Sequence, residues 1–355
     1  MTRLRVLVVE DSLTVRMHLC ELLDADPAFD LVGQAEDGKQ AIELCQALRP
    51  DVISLDMMMP VMSGLAATEY IMAYCPTPIL VVSSSVNRGE LFRTYEALTA
   101  GALDVIEKPR PDQDGWGGHY LAMLKLVAKI KVVTHLRGRR GAPAATAPAP
   151  ALAPPPSSLA PGARPRLVAI GASTGGPRAL VEVLGVLPAD FALPLLVVIH
   201  IAEPFGSAFA SWLNDHCALD VQLARHGQPL PARGVVLAAP DLHLQLRGRM
   251  LACERGPERL SCRPSVDVLF ESVARECGAG AVAVLLTGMG QDGARGMLAV
   301  RGAGGLTIAQ DETSCVVYGM PREAALLGAA QRVLPLAEIG PALAALAPQA
   351  VGRPS

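Results

Sequence analysis

The stretch Gly171-Ala172-Ser173-Thr174-Gly175-Gly176 lies between an apolar run at residues 167–170 and a helical pattern that begins at Pro177. Small residues on both sides of a serine allow the backbone to turn sharply from a strand into a helix, which exposes the serine hydroxyl. The Gly-x-Ser-x-Gly spacing is typical of a nucleophile elbow, in which the next backbone N–H helps to stabilise an oxyanion. A glycine-rich turn that binds phosphate at a helix N-terminus is the alternative interpretation.

The composition is that of an ordinary globular protein with room for two domains. The chain has 355 residues, of which 51% are hydrophobic and 18% charged, and its formal net charge is -3. This charge balance gives no indication of nucleic-acid binding. The apolar runs are too short to cross a bilayer, and the N-terminus continues into acidic residues without a cleavage site. We therefore expect a cytoplasmic protein with no membrane insertion.

The cysteines and the proline-rich segment place further limits on the organisation. The eight cysteines lack the paired short spacing of zinc and redox motifs, so we expect no metal-thiolate site. Residues 138–165 contain eight prolines, nine alanines and no acidic residue, and such a composition predicts an extended linker. It would separate a first domain at residues 1–137 from a second at 166–350.

Both flanking regions alternate strand and helix patterns, which predicts an α/β fold with two doubly wound domains. In the first, we expect strands near residues 5–9, 31–35, 51–55 and 79–82. In the second, we expect strands at 167–170, 195–199, 281–286 and 305–309. Residues 235–253 differ, because alternation across Arg247 and Gly248 is typical of a hairpin. The second domain should therefore have a mostly parallel sheet with an added β-hairpin.

Charged and hydroxyl side chains follow the predicted strands of the first domain at their carboxyl ends, where ligands collect in a doubly wound sheet. These residues are Glu10, Asp11, Asp56, Ser83 and Lys108. Three crowded carboxylates repel one another and favour a divalent cation, and their oxygens suit Mg²⁺. One carboxylate could then accept a phosphoryl group. Surface carboxylates without a ligand are the alternative, because strand ends are polar in any α/β sheet.

These five positions together resemble the response-regulator receiver domain, and the resemblance covers nearly all of residues 1–137. It implies a flavodoxin-like fold in which Asp56 is the phosphoacceptor and binds the metal together with Glu10 and Asp11. It also implies that Ser83 is the switch hydroxyl, that Lys108 contacts the phosphoryl group, and that a histidine kinase is the phosphodonor.

Three residues depart from the usual receiver pattern, namely Met58, Ser63 and Val105. Chemotaxis relatives often carry an acid at the first position, the second replaces the aspartate of a common Met-Pro-x-x-Asp-Gly run, and an aromatic residue is frequent at the third. We expect these departures to affect the lifetime of the acyl phosphate and the strength of its coupling to the rest of the protein.

The serine of the second domain needs a base, and the base needs an orienting carboxylate. His200 ends one predicted strand and Asp292 lies in a glycine-rich loop after another, so both can reach the strand edge that carries Ser173. Glycines in the loop permit a tight turn whose amides point at a developing oxyanion. His216, His226 and His243 lie in loop or hairpin contexts, where surface or packing roles are expected.

The second domain resembles the catalytic domain of chemotaxis protein-glutamate methylesterases, the CheB family, over residues 166–345. Four sequence features carry the resemblance: Gly171-Ala-Ser-Thr-Gly-Gly-Pro177, His200 followed by Pro204-Phe205, Arg263-Pro-Ser-Val-Asp-Val-Leu-Phe270, and Leu286-Thr-Gly-Met-Gly-Gln-Asp-Gly293. It implies that Ser173 is the nucleophile, His200 the base and Asp292 its orienting acid. It also implies oxyanion stabilisation by the Met289 backbone with Thr174 in support.

By the same resemblance, the chain removes methyl groups from glutamyl esters of chemoreceptors and deamidates particular receptor glutamines. Hydrolysis would need no cofactor, Mg²⁺ would serve the receiver, and the unphosphorylated receiver would cover the active site. Ile199 and Ile201 replace the usual neighbours of His200, so substrate fit is expected to differ. The segment 263–267 is expected to form a wall of the site, although Pro264 could equally start a helix.

Two other functions remain open at this point. A nucleotide-binding or dehydrogenase domain is one, but neither the dinucleotide nor the P-loop fingerprint is present. A non-catalytic adaptor that keeps the esterase fold and signals by binding is the other. Loss of ester hydrolysis in Ser173→Ala would separate the esterase from both.

Overall fold

The computed structural model describes residues 3–84, 87–109, 115–130, 132, 164–201 and 203–346. The chain forms two compact units that divide between Ala149 and Pro150. The predicted linker at 138–165 lies outside the described residues except for its last two positions, so its bounds stay a prediction. No helix within the described ranges has both the length and the apolar character needed to span a membrane.

The first unit is a five-stranded parallel sheet with the strand order β2-β1-β3-β4-β5. Its strands are β1 (Leu4–Val9), β2 (Phe29–Ala35), β3 (Val52–Leu55), β4 (Ile79–Ser83) and β5 (Asp104–Glu107). Its helices are α1 (Leu13–Ala25), α2 (Gly38–Leu48), α3 (Gly64–Tyr74), α4 (Arg88–Ala100) and α5 (Trp116–Val127). Helix α1 packs against α5, whereas α2, α3 and α4 pack in succession. This order is flavodoxin-like, as predicted.

Local sequence explains where these elements begin. Strands β3 and β4 are continuous runs of fully buried residues, as expected of parallel strands covered on both faces. Helix α2 begins at an N-cap, Asp37, whose carboxylate accepts hydrogen bonds from the N–H groups of Lys39 and Gln40. Asn87 caps α4 in the same way.

The second unit has a seven-stranded parallel sheet with the order β15-β14-β13-β6-β7-β10-β8 and a separate antiparallel sheet, β11-β12-β9. Its strands are β6 (Leu167–Ala172), β7 (Pro194–Ile199), β8 (Val221–Leu223), β9 (Gln228–Pro229), β10 (Gly234–Leu237), β11 (His243–Arg247), β12 (Met250–Glu254), β13 (Ala281–Leu285), β14 (Leu306–Gln310) and β15 (Arg332–Leu334). Its helices are α6 (Gly176–Gly185), α7 (Phe205–Asn214), α8 (Val266–Cys277), α9 (Ala294–Gly302), α10 (Met320–Leu326) and α11 (Leu336–Ala344), with a short 3₁₀ helix at Gly278–Gly280.

The predicted combination of a parallel core and a β-hairpin is confirmed, with two differences in detail. Arg247 pairs with Met250, so the two-residue turn is Gly248-Arg249 rather than Arg247-Gly248. The hairpin joins β9 in the separate sheet and packs on α8, while the first residues of the predicted hairpin region form β10 of the main sheet. Strand β10 is a short apolar run, and periodicity alone cannot assign such runs.

Strand β6 lies at the centre of this unit, and Gly171 allows α8 to approach it closely. A methyl group at Gly171 would overlap Cγ1 of Val266, the first residue of α8. Val266 and the next nearest side chain, Leu285, are both fully buried. The β6 backbone therefore cannot move away without shifting α8.

We therefore expect Gly171→Ala to destabilise the second unit by about 1–3 kcal/mol, because the added methyl overpacks the contact between β6 and α8. The matched control is Gly185→Ala, since a methyl there would meet nothing within 4 Å. Denaturant unfolding of the full chain in a Trp116→Phe background measures the effect, with fluorescence from the buried Trp212 as the signal. Equal stability of the two variants would contradict the claim that close packing of α8 on β6 requires glycine at position 171.

Candidate active site

Three adjacent strands bring the predicted catalytic residues of the second unit to one edge of its sheet. The order β7-β6-β13 places the residues after these strands side by side, because parallel strands end on the same edge. Ser173 follows β6, His200 follows β7, and Asp292 lies in the loop between β13 and α9. The backbone N–H of His200 donates to the Ala172 carbonyl at 3.1 Å. This bond fixes the start of the loop after β7 beside the serine turn.

The turn at Ser173 has the sharp geometry predicted for a nucleophile elbow. The Gly176 N–H donates to the Ser173 carbonyl at 2.7 Å, and Gly175 has φ of 78°, a conformation that favours glycine. The Ser173 N–H donates to the Thr287 carbonyl at 3.0 Å, which joins the turn to the loop that follows β13. The half-buried Ser173 hydroxyl makes no hydrogen bond to another described residue, so it is available for substrate.

His200 and Asp292 form a hydrogen-bonded pair in which Nε2 lies 3.0 Å from Oδ2. Asp292 is 2% exposed, and its carboxylate accepts three further hydrogen bonds. They come from the Ser265 hydroxyl at 2.8 Å, the Val266 N–H at 2.7 Å and the Asp267 N–H at 3.0 Å. These donors form the N-terminus of α8, which favours negative charge. The helix therefore fixes the carboxylate that fixes the imidazole.

Hydrogen bonding shifts the pKa of both members of the pair. Burial lowers the pKa of His200, but hydrogen bonds to Asp292 and Cys262 outweigh it and raise the pKa to about 9. Burial acts against ionisation of Asp292, yet its bonds to His200 and to the α8 amides hold its pKa below the ordinary value. Because Asp292 occupies Nε2, the nitrogen left to exchange a proton with a substrate or nucleophile is Nδ1. That nitrogen lies 3.8 Å from the Cys262 sulfur.

The loop after β13 is held in place next to the serine turn. The Thr287 hydroxyl donates to the Thr174 carbonyl at 3.0 Å, and the Thr287 N–H donates to Oε1 of the buried Gln310 at 2.8 Å. Met289 follows in this loop, and among the described residues its backbone N–H has no acceptor. An N–H group held by such a loop and left without a partner suits an oxyanion.

The three other histidines of the second unit have structural partners. His216 stacks on Trp212 with a ring-centroid distance of 4.1 Å, and His226 Nδ1 lies 3.1 Å from the Cys253 carbonyl. Buried His243 bridges two segments, because its Nδ1 accepts from the Ser265 N–H at 3.2 Å and its Nε2 lies 2.9 Å from the Pro257 carbonyl. His243 thus supports the segment that holds Asp292.

The sequence predicted that segment 263–267 lies beside the site, but not that Ser265 donates a hydrogen bond to Asp292, and it missed Gln310 and Cys262. Ser265 is the N-cap of α8, which begins at Val266, so Pro264 precedes the cap instead of opening the helix. A serine before an apolar helical run is a recognisable N-cap signal, but nothing in the local sequence shows that it also contacts Asp292. Gln310 is the last residue of β14 and Cys262 lies in the segment before α8, and no local pattern marks either of them as part of the site.

The first unit gathers its predicted residues at the carboxyl edge of its own sheet. Lys108 Nζ donates to Glu10 Oε1 at 2.9 Å and lies 3.1 Å from Asp56 Oδ2 as an ion pair. The other oxygen of Asp56 accepts from the Met57 N–H at 2.7 Å. Glu10 and Asp56 are almost fully buried, whereas Asp11 is exposed.

Burial dominates the electrostatics of this cluster. It raises the pKa of Glu10 to about 7, with the Asp56 charge adding to the effect, and it raises the pKa of Asp56 against the opposing influence of Lys108. Burial acts to lower the pKa of Lys108, but Asp56 and Glu10 raise it overall. Two carboxyls that are costly to ionise therefore share the ammonium group of Lys108. A further positive charge would stabilise their ionised forms.

The cluster fits a divalent cation such as Mg²⁺. Glu10, Asp11 and Asp56 each offer one oxygen, and these atoms lie within 4.8 Å of one another. Oε2 of Glu10 is buried, and among the described residues it has no hydrogen-bond partner. An all-oxygen donor set with such an unpaired carboxylate oxygen is what Mg²⁺ prefers.

The remaining residues of the predicted receiver site have distinct surroundings. The buried Ser83 hydroxyl accepts from Thr94 Oγ1 at 3.3 Å, and the Lys108 N–H donates to the Ser83 carbonyl at 3.0 Å. Ser63 caps α3, because its hydroxyl accepts a hydrogen bond from the Ala66 N–H at 3.3 Å. Met58 is 36% exposed beside Asp56, and Val105 is half-buried in β5.

The raised pKa of His200 predicts a pH-dependent stability. An unfolded histidine has a pKa near 6.5, so the His200–Asp292 pair stabilises the fold fully below about pH 6.5 and loses this contribution as the pH rises through about 9. We expect a loss on the order of 3 kcal/mol across that window. Unfolding followed by Trp212 fluorescence should show that Asp292→Asn removes this dependence, whereas Asp220→Asn, an exposed carboxylate, keeps it. Identical pH profiles for wild type and Asp292→Asn would refute the claim that the His200–Asp292 pair causes the pH dependence.

Known proteins match both units of the chain. Residues 168–343 match the family model described as CheB methylesterase, and residues 6–115 match the response regulator receiver domain. A protein-glutamate methylesterase/protein-glutamine glutaminase of Anaeromyxobacter dehalogenans is 44% identical over 96% of both chains. One from Myxococcus xanthus is 46% identical over 90% of both.

A solved structure matches the second unit. The crystal structure of the Thermotoga maritima CheB methylesterase catalytic domain has a TM-score of 0.50 and 35% sequence identity. It covers 51% of this chain and 98% of that chain. With relatives above 40% identity over nearly the whole length, the chain belongs to the family of CheB methylesterases that carry a response regulator receiver domain.

Proposed function

We propose that this protein is a phosphorylation-activated serine carboxylesterase that removes methyl groups from glutamate methyl esters on chemoreceptors. The observation that carries the proposal is the His200–Asp292 pair at the sheet edge that also presents the Ser173 hydroxyl. The names of the relatives, protein-glutamate methylesterase/protein-glutamine glutaminase, support the choice of substrate.

In the proposed reaction, the Ser173 oxygen attacks the ester carbonyl and transfers its proton to Nδ1 of His200. The imidazolium returns this proton to the leaving methoxy group, methanol departs, and a glutamyl ester with Ser173 remains. Water then attacks the acyl enzyme with His200 again as the base. Asp292 stays ionised throughout and stabilises the imidazolium, in agreement with its lowered pKa.

The negative oxygen of the tetrahedral intermediate needs donors that are already in place. We assign this role to the Met289 N–H, with the Thr174 backbone in support, because the bond between Thr287 and Thr174 connects their two loops. The base has to be neutral for the first step, and the pKa of His200 is about 9 in this state. Esterase activity should consequently increase with pH above neutrality.

The same acyl chemistry can deamidate receptor glutamines. Attack of Ser173 on a glutamine amide gives the same acyl enzyme with ammonia as the leaving group, and hydrolysis gives glutamate. The glutaminase part of the relatives' names supports this second activity.

The first unit would supply the control. A histidine kinase would donate a phosphoryl group to Asp56, with Lys108 and Ser83 contacting its oxygens. Glu10, Asp11 and Asp56 would hold Mg²⁺, which when bound neutralises carboxylate repulsion and polarises the phosphoryl oxygens. Phosphorylation of Asp56 would then raise esterase activity.

Ser173→Ala should reduce ester hydrolysis by at least about 10³-fold, because the reaction loses its nucleophile and only oxyanion binding remains. The assay follows methanol release from methylated receptor membranes. Ser211→Ala, an exposed serine on α7, should retain wild-type activity. A wild-type protein that binds receptors but is as inert as the Ser173 variant would instead support a non-catalytic adaptor.

Asp56→Asn should abolish activation by a small-molecule phosphodonor and leave the basal rate of hydrolysis in place, because an amide cannot accept the phosphoryl group. Methanol release is measured with and without the donor in the presence of Mg²⁺. Asp30→Asn, an exposed carboxylate on β2, is the matched control and should remain activatable. Full activation of Asp56→Asn would exclude this residue as the phosphoacceptor.

A further inference from the structure

We propose that His200 and Cys262 form a binding site for a thiophilic divalent cation of the Zn²⁺ type, and that the bound cation inhibits the esterase. The inhibitory part rests on the function proposed above, whereas the binding part does not. The starting observation is that Cys262 Sγ lies 3.8 Å from His200 Nδ1. Because Cys262 is only half-buried, an ion can reach it from solvent.

The distance between the two ligand atoms suits a zinc site. Zinc bonds are about 2.3 Å long to cysteine sulfur and about 2.0–2.1 Å to histidine nitrogen. At a tetrahedral angle these lengths separate sulfur and nitrogen by about 3.6 Å. The observed 3.8 Å therefore requires only a small adjustment of the side chains.

Asp292 acts in this site as the carboxylate behind the histidine. Each of its two oxygens already accepts two hydrogen bonds, and one of the four bonds comes from Nε2 of His200. When a metal-bound histidine uses one ring nitrogen as ligand, the other typically donates to a carboxylate, which fixes the tautomer. In the neutral form of His200, that arrangement directs the Nδ1 lone pair at the Cys262 sulfur. The other coordination positions would be filled by water, as in open zinc sites.

The ligand chemistry distinguishes this site from the one in the first unit. Among the described residues, two groups bring three potential ligand atoms within 4.8 Å of one another: His200 with Cys262 and Asp292, and Glu10 with Asp11 and Asp56. The second group has only oxygens and prefers hard cations, whereas thiolate and imidazole select softer ones. Cysteine spacing could not predict the first group, because its ligands are 62 positions apart in the chain.

Occupation of this site would remove the catalytic base. Nε2 is held by Asp292, so Nδ1 is the nitrogen that has to accept the Ser173 proton. A cation on Nδ1 uses that lone pair, and the serine can no longer be deprotonated by His200. Binding releases the Cys262 thiol proton to solvent and breaks no bond to carbon, so removal of the cation lets the thiol take up a proton again and inhibition should be reversible.

Cobalt absorption tests binding without any activity assay. The full chain is titrated with Co²⁺ in excess Mg²⁺, which occupies the oxygen site, and thiolate-to-cobalt charge-transfer absorption in the near ultraviolet is recorded. We expect this band in the wild type and its loss in Cys262→Ser and Cys262→Ala. The matched control is Cys217→Ser, another half-buried thiol 3.5 Å from a carbonyl oxygen, which should retain the band. Absence of the band in the wild type, or its persistence without Cys262, overturns the site.

Inhibition is tested on hydrolysis of a model ester with added Zn²⁺, followed by a chelator. We expect reversible inhibition of the wild type and of Cys217→Ser. Half-inhibition of Cys262→Ser, relative to its own metal-free rate, should require at least about tenfold more Zn²⁺. Equal sensitivity overturns the inhibitory role. A chain that shows the cobalt band but no ester hydrolysis would contradict the proposed function and leave the binding site standing.

Discussion

The buried carboxylate of Asp292 is the group on which the geometry of the second unit's site depends. A charge this deeply buried is costly unless it is paired and hydrogen-bonded, and four donors share the task here. Three of them belong to the start of α8, and the fourth is the imidazole of His200. Any displacement of α8 would leave the carboxylate unsatisfied and the imidazole without orientation. Packing of α8 on β6, which Gly171 permits, is in this way connected to chemistry at Ser173.

Both units use the same structural rule for different chemistry. In each, a parallel sheet directs polar residues to the carboxyl ends of adjacent strands, and the intervening apolar residues are fully buried. The first unit gathers carboxylates around a single lysine, which favours a cation and phosphoryl transfer. The second unit gathers a hydroxyl, an imidazole and a carboxylate, which favours acyl transfer. The sheet supplies position in both, and side-chain identity decides the reaction.

Much of this architecture is predictable from sequence because it depends on local pattern. The turn at Ser173, the strand-ending His200 and the glycine-rich loop of Asp292 are marked by apolar runs followed by small or polar residues, and the structure places them at one edge. The sequence predicted a wall of the site at 263–267, but not the contact of Ser265 with Asp292 or that of Cys262 with His200, since these partners lie on other loops and no periodicity records such contacts. Short strands such as β8 and β15 could not be predicted from sequence for a related reason, because three residues do not establish a period.

The central claim is that Ser173, His200 and Asp292 act as one unit, and covalent labelling with a fluorophosphonate tests it most directly. The reagent reacts with a serine whose hydroxyl is activated by a neighbouring base. Peptide mass spectrometry of the labelled full chain should find one adduct, on Ser173, and none after His200→Ala or prior denaturation. An adduct on another residue of the folded protein, or an unlabelled Ser173, would contradict the account.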